Sequence, residues 1–227
     1  MKREDIVIAP SIFAGDFGRL AEEAKWCEEA GADCVHVDIM DGHFVPNLTL
    51  GPKALAAINR ATELFLDVHI MIYNPFEFIE RLVESGANRI TFHFEATEEV
   101  EEILKYIRKA NVEAGLALCP ETSPEFVLRY LEHCDLILMM TVPPGFGGQK
   151  FREDVLDKVR FLRNEIDKRG LKGKDNKVFP IQVDGGVDAQ TAPRCVEAGA
   201  NVLVSGTYLF EHESMAQGIE TLRGSCG

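Results

Sequence analysis

Short apolar runs alternate along the chain with amphipathic, charged stretches, and the alternation repeats eight times. The runs at 6–9, 35–39, 64–71, 89–92, 113–118, 136–140, 178–183 and 202–205 are dominated by Val, Ile, Leu, Phe and Ala. Such continuous apolar runs read as strands buried on both faces, as in a parallel sheet. The stretches at 17–30, 53–60, 75–85, 98–110, 124–132, 153–168, 189–198 and 214–222 space apolar residues among Glu, Lys and Arg, which reads as helices with one buried face. Pro75 and Pro124 stand where a first helical turn tolerates proline, and Gly31, Gly86, Gly170 and Gly199 stand at helix ends. Eight strand–helix units predict a single (β/α)8 barrel domain over residues 1–227. An open doubly wound sheet is the alternative, but no Gly-x-Gly-x-x-Gly follows the first strand.

Composition narrows the function classes. With 227 residues, 46% hydrophobic and 27% charged, the chain can bury one sizeable core. Its 24 Lys and Arg against 37 Asp and Glu give a net charge of −13, and no basic cluster stands out, which argues against nucleic acid as partner. No apolar run is long enough to span a membrane, and the charged start Met1-Lys2-Arg3-Glu4-Asp5 is unlike a signal peptide. Cysteines 27, 34, 119, 134, 195 and 226 form no CxxC pair, so reduced thiols in a cytoplasmic protein are expected rather than structural zinc. On so acidic a chain, an anionic ligand needs local neutralisation by a metal or by backbone N–H groups.

Polar residues out of place in the strands carry the candidate chemistry. Side chains two apart share a strand face, so His36, Asp38 and Met40 point one way, as do Asp67, His69 and Met71. A buried His beside a buried Asp is costly unless satisfied. For the second strand alone, a divalent metal and a hydrogen-bonded His–Asp pair serve equally well. In a barrel, however, strand ends converge on one mouth. There His36, Asp38, His69 and the strand-tip Asp184 become candidate ligands of one divalent ion. Glycine loops form the second signal: Gly145, Phe146, Gly147 and Gly148 after the sixth strand, Gly185 and Gly186 after the seventh, and Gly206 with Thr207 after the eighth. Any one of them reads as ordinary turn chemistry. Three at one end of a barrel point to phosphate held by backbone N–H groups rather than by Lys or Arg. Met40, Met71 and Met140 end their strands and would form an apolar collar beside the metal, where gap-filling core is the plainer reading.

These motifs resemble the ribulose-phosphate 3-epimerase family. The resemblance rests on Ala9-Pro10-Ser11-Ile12, on Val37-Asp38-Ile39-Met40-Asp41-Gly42-His43-Phe44-Val45-Pro46-Asn47, and on Asp67-Val68-His69-Ile70-Met71. It continues through Thr91-Phe92-His93-Phe94-Glu95-Ala96, Pro144-Gly145-Phe146-Gly147-Gly148-Gln149-Lys150-Phe151, Val183-Asp184-Gly185-Gly186-Val187 and Ser205-Gly206-Thr207. The resemblance implies a TIM barrel of the ribulose-phosphate-binding type that interconverts D-ribulose 5-phosphate and D-xylulose 5-phosphate in the pentose phosphate pathway. It implies one divalent ion (zinc, iron, manganese or cobalt) on His36, Asp38, His69 and Asp184, with Asp38 and Asp184 as the acid/base pair. It further implies that Ser11 contacts substrate, that the glycine loops hold phosphate, and that the protein is a homo-oligomer, a dimer or hexamer.

Two positions depart from the family pattern. Pro143 stands before the Pro-Gly-Phe-Gly-Gly loop, and Thr207-Tyr208 stands where Gly-Ser-Ala is common. Both could reshape the sugar pocket, which leaves a ketohexose 6-phosphate such as D-allulose 6-phosphate as an alternative substrate. Decarboxylases and aldolases on this fold carry Asp-x-Lys-x-x-Asp on the third strand, where this chain has His69 in place of the lysine. A non-catalytic sugar-phosphate sensor would be expected to lack a carboxylate or a ligand. Of the remaining histidines, His43 and His93 are expected near the site and His133 and His212 at the surface.

Overall fold

The computed structural model describes residues 2–224. Eight strands, β1 (Val7–Pro10), β2 (Cys34–Met40), β3 (Phe65–Met71), β4 (Arg89–His93), β5 (Glu113–Leu118), β6 (Leu136–Met140), β7 (Ile181–Asp184) and β8 (Val202–Ser205), run parallel in the order β1-β8-β7-β6-β5-β4-β3-β2. The open edges, β1 and β2, meet at a single parallel bridge between Ser11 and His36. Lower on the same seam, Asp33 accepts the Ile8 N–H through its carboxylate at 2.7 Å and donates its own N–H to the Ile8 carbonyl at 3.2 Å. The result is a nearly closed (β/α)8 barrel.

Helices α1 (Leu20–Glu29), α2 (Pro52–Asn59), α3 (Phe76–Glu84), α4 (Val100–Lys109), α5 (Val155–Lys168), α6 (Ala192–Ala198), α7 (Thr207–Phe210) and α8 (Met215–Gly224) lie between and after the strands. In α4, Val100, Ile103, Leu104 and Ile107 recur at helical spacing and are all buried. Glu101 and Glu102 occupy its first turn and Arg108 and Lys109 its last, each sign complementing the helix dipole. Gly199 ends α6 at φ +110, and a Cβ there would also stand 2.7 Å from Arg163 Cβ, so glycine serves both the turn and the packing.

Strand residues alternate between two environments. Val35, Val37, Ile39, Leu66, Val68, Ile70, Ile90, Phe92 and Leu116 face the helices and form the main core. Each such side chain contributes roughly 1.5–3 kcal/mol by leaving water. The residues between them fill the barrel. Ala9, Cys34 and Val204 form one apolar cluster there, and Ala117, Leu136, Leu138, Met140 and Val202 another. Where β2, β3 and β4 face inward the filling turns polar: His36, Asp38, Asp67, His69, Arg89, Thr91 and His93 are all buried.

Several expected boundaries move. Residues Pro124–His133 form a 3-10 helix rather than an α-helix. Pro124, Val127, Tyr130 and Leu131 are its buried side chains; the first three recur every third residue, as a 3-10 helix requires, yet all four would also fall on one face of an α-helix. Residues Phe17–Arg19 are likewise a 3-10 turn ahead of α1. The seventh strand starts at Ile181, because Val178 pairs instead with Lys172 in an antiparallel bridge and Pro180 has no N–H for the ladder. Helix α6 begins at Ala192, since the Asp188 carboxylate accepts the N–H groups of Gln190 and Thr191 in a local turn. Among the described residues no helix is long and apolar enough to cross a membrane. Cys27, Cys34, Cys119 and Cys134 form no disulfide among the described residues, and Cys226 lies outside those residues.

Candidate active site

The register of β2 on β3 builds the centre of the barrel mouth. His36 stands beside Asp67 and Asp38 beside His69, so His-x-Asp on one strand meets Asp-x-His on the next. The lower pair forms a hydrogen bond: His36 Nδ1–H donates to Asp67 Oδ2 at 2.8 Å. Asp67 is held in turn by Gln182 Nε2, reaching across from β7 at 2.6 Å, and by Arg89 Nη1 at 3.3 Å. Arg89 also pairs with Glu113 at 2.6 Å and lies over the Phe65 ring. Burial acting alone would raise the Asp67 pKa, but Arg89, His36 and Gln182 outweigh it and keep the carboxylate ionised well below its usual range.

Above this layer, one ligating atom from each of His36, Asp38, His69 and Asp184 lies within 4.8 Å of the others. His69 Nδ1 stands 3.0 Å from Asp38 Oδ1 and 3.9 Å from Asp184 Oδ2. His36 Nε2 stands 3.4 Å from Asp38 Oδ1 and 3.9 Å from Asp184 Oδ2, and though buried it makes no hydrogen bond among the described residues. Ser11 Oγ donates to the other Asp38 oxygen at 2.7 Å, across the β1–β2 seam. Asp184 comes from β7, separated from β2 by β8 and β1. The strand turns away directly after it at Gly185, whose φ is +116 and where a Cβ would meet Val142 at 2.4 Å.

The electrostatics separate the two aspartates. Burial pushes against ionised Asp38, but His36 and His69 outweigh it and hold its pKa well below the usual range. Burial and the neighbouring Asp38 charge push Asp184 up to about 7. Burial opposes charge on His36, yet Asp38 and Asp67 overcome it and raise its pKa, whereas burial lowers that of His69. A cluster of converging acceptors demands positive charge, and a proton on His36 is the smallest that can supply it. The donor set of two imidazoles and two carboxylates fits a divalent ion of the zinc, iron, manganese or cobalt kind. The orphaned His36 Nε2 is the atom such an ion would satisfy.

Over the cluster lies a cavity of about 760 Å³. Met40, Met71 and Met140 line it beside Ser11, Asp38 and Asp184. Met40 and Met71 pack with Val45, Phe13 and Phe44 into a small apolar wall. Its other side is formed by Gly145, Phe146, Gly147, Gly148, Gly185, Gly186, Gly206 and Thr207, so all three glycine loops reach one space. Pro143 and Tyr208, the two departures, line it as well. His36 and His69 lie beneath the floor, fully buried.

Two lining cations were not singled out by the sequence pattern. Lys150 and Arg194 line the cavity beside the glycine loops, so cations are available where backbone groups alone were expected. Arg194 sits inside a short helix and is paired with Glu153, and nothing in its local pattern singles it out. His93 lines no part of the cavity: it is buried behind His69, the two Nε2 atoms 2.9 Å apart. His43 is exposed at the loop after β2. His133 and His212 are half-buried, one near Glu101 and the other against the Tyr208 ring.

A profile of the ribulose-phosphate 3 epimerase family matches residues 7–210. The chain is 54% identical over 215 residues to ribulose-phosphate 3-epimerase of Chlamydia pneumoniae, covering 95% of this chain and 92% of that one. It is 42% identical over 220 residues to the Bacillus subtilis protein of the same name, covering 97% and 99%. Among solved structures, a tryptophan synthase alpha-subunit from Pyrococcus furiosus superposes with a TM-score of 0.68 at 14% identity, covering 96% of this chain and 97% of that one. A 3-hexulose-6-phosphate synthase superposes at 0.65 with 16% identity, covering 98% and 100%. At such identities these structures speak for the barrel fold alone.

Proposed function

The chain belongs to the ribulose-phosphate 3 epimerase family, and from that premise we propose that it inverts C3 of D-ribulose 5-phosphate to give D-xylulose 5-phosphate, with one divalent ion and the Asp38/Asp184 pair. The observation that carries the proposal is the convergence of Asp38 and Asp184 at the floor of the cavity, with His36 and His69 directly beneath them.

The hydrogen on C3 is acidic because the neighbouring C2 carbonyl can take up the electron pair left behind. An ion on His36, Asp38, His69 and Asp184 would supply positive charge that stabilises this developing negative charge. Every proton movement falls to the two carboxylates. The ionised one takes the C3 proton from one face, and the protonated one delivers a proton to the opposite face. The C–H bond broken is thus replaced by one of inverted configuration, and the two aspartates have exchanged protonation states. Either can start the cycle, depending on which epimer is bound. Ser11 donates to Asp38 Oδ2 and so orients the carboxylate with Oδ1 toward the histidines. Met40, Met71 and Met140 keep water away from the carbanionic carbon. The glycine loops let the backbone approach the phosphate closely, and Lys150 and Arg194 add charge at that end. The proposal extends to a homo-oligomer, as the family resemblance implies, and to the cytoplasm, as cysteines without a CxxC pair suggest, with residues 1–227 as one catalytic domain.

Turnover in D2O tests it. Wild type should place one solvent deuteron at C3 of xylulose 5-phosphate. Asp38→Asn and Asp184→Asn should each fall by about 10²–10⁴ in kcat while melting cooperatively. Epimerisation without deuterium at C3, or a folded aspartate variant with near-normal kcat, would exclude the two-carboxylate mechanism.

A further inference from the structure

The hydrogen-bond chain continues past His69. Its Nε2 stands 2.9 Å from His93 Nε2, and His93 Nδ1 stands 3.2 Å from Glu95 Oε2. Glu95 is itself fixed, its Oε1 accepting from the Cys119 N–H at 2.8 Å and from the Thr122 hydroxyl. His93 is fully buried, with the Phe44 ring 4.7 Å away on one side and the His69 ring 5.0 Å away on another.

Counting protons along this chain decides what it does. Two ring nitrogens in hydrogen bond share one proton, one donating and the other accepting. His69 turns Nδ1 toward Asp38 and Asp184, so an ion held there uses the Nδ1 lone pair, and the neutral ring keeps its proton on Nε2. That proton points at His93 Nε2, which must then be bare. His93 consequently carries its own proton on Nδ1, directed at the Glu95 carboxylate.

We infer that His93 and Glu95 are positioning residues that lock His69 as an Nδ1 metal ligand, and that the same hydrogen bond limits the chain to one ion. The inference rests on the metal reading above and assigns two residues to it that contact neither ion nor substrate. Its second half concerns a neighbouring cluster. His93 Nδ1, Glu95 and Cys119 Sγ also have ligand-like spacing, with Sγ 3.6 Å from Nδ1. An ion there would take the Nδ1 lone pair of His93 and force its proton onto Nε2. Two N–H groups would then face each other at the 2.9 Å now spanned by one hydrogen bond. Filling one cluster therefore empties the other.

Metal-stripped wild type, His93→Phe, His93→Gln, Glu95→Gln and Cys119→Ala would be titrated with Co(II) against a chromophoric chelator. Bound metal per chain would be measured after dialysis, and melting curves recorded without metal. Wild type should bind one ion. His93→Phe removes the acceptor for His69 and should bind about 10–100-fold more weakly. His93→Gln can offer a side-chain oxygen where Nε2 stood and should recover most of that loss. Recovery of this kind is something a mere packing role would not produce. Glu95→Gln keeps the shape without the charge and should weaken binding measurably, which also serves if His93→Phe fails to fold. Cys119→Ala should bind as wild type does. Equal affinity for wild type and Glu95→Gln, equal loss in His93→Phe and His93→Gln, or two ions in wild type falling to one in Cys119→Ala would overturn the inference. Wild type binding no ion at all would instead overturn the metal reading on which it rests.

Discussion

His36 and Asp67 face each other in register on β2 and β3, and the His36 Nδ1–H reaches Asp67 Oδ2 at 2.8 Å. Asp67 lies a layer below the ligand cluster and is not part of the cavity lining. Its work is to turn the other face of the His36 ring, Nε2, toward Asp38 and Asp184. Asp67→Asn should therefore weaken metal binding by about 10–100-fold, since the amide can present the wrong hydrogen-bonding end to His36. Arg89 retains Glu113, so the barrel should still fold. Unchanged metal affinity in a chelator competition would contradict this role.

The loop after β2 is held by Asp41. Its carboxylate accepts the N–H groups of His43 and Phe44 at 2.8 Å and of Tyr73 at 3.0 Å. Burial would raise its pKa, but these three donors outweigh it and lower it. A carboxyl whose pKa is lower folded than unfolded stabilises at pH above its unfolded value, and that contribution is lost as pH falls toward the folded value. Asp41→Asn should thus cost roughly 1–2 kcal/mol at pH 7. Melting temperatures of wild type and variant should converge as the pH is lowered through the carboxylate range. A gap that stays constant between pH 7 and the acid limit of folding would refute the assignment.

Gly185 bends the chain immediately beyond Asp184. Gly185→Ala places a side chain at φ +116 and against Val142. We expect a loss of about 1–3 kcal/mol from the backbone alone. The kcat should also fall, because relief of the strain displaces the neighbouring carboxylate. A variant melting with wild type would show that the turn tolerates a side chain.

Much of this was readable in the chain because two periodicities coincide. The alternation in 34–40 and 65–71 marks one polar face on each strand, and a parallel barrel has only one place for such faces to meet. What pattern alone could not supply was the register. Asp67 shares its strand face with His69, yet pairing places it beside His36, as a support rather than a member of the ligand cluster. His93 and Glu95 lay within a quoted motif, but their relation to His69 depends on rings meeting between strands. Arg194 shows the same limit: a charged residue on a helix turn looks solvated until the fold brings that turn to the cavity. The 3-10 helix at Pro124–His133 shows a different one, because its buried residues 124, 127, 130 and 131 would also make up one face of an α-helix.

Restoring metal to stripped enzyme tests the central claim most directly. Protein freed of metal would be assayed with ribulose 5-phosphate and with allulose 6-phosphate, before and after adding zinc, iron, manganese or cobalt singly. The account predicts negligible turnover without metal, recovery with at least one ion, and a much higher kcat/KM for the pentose phosphate. Full activity in folded protein shown to be free of metal would contradict it.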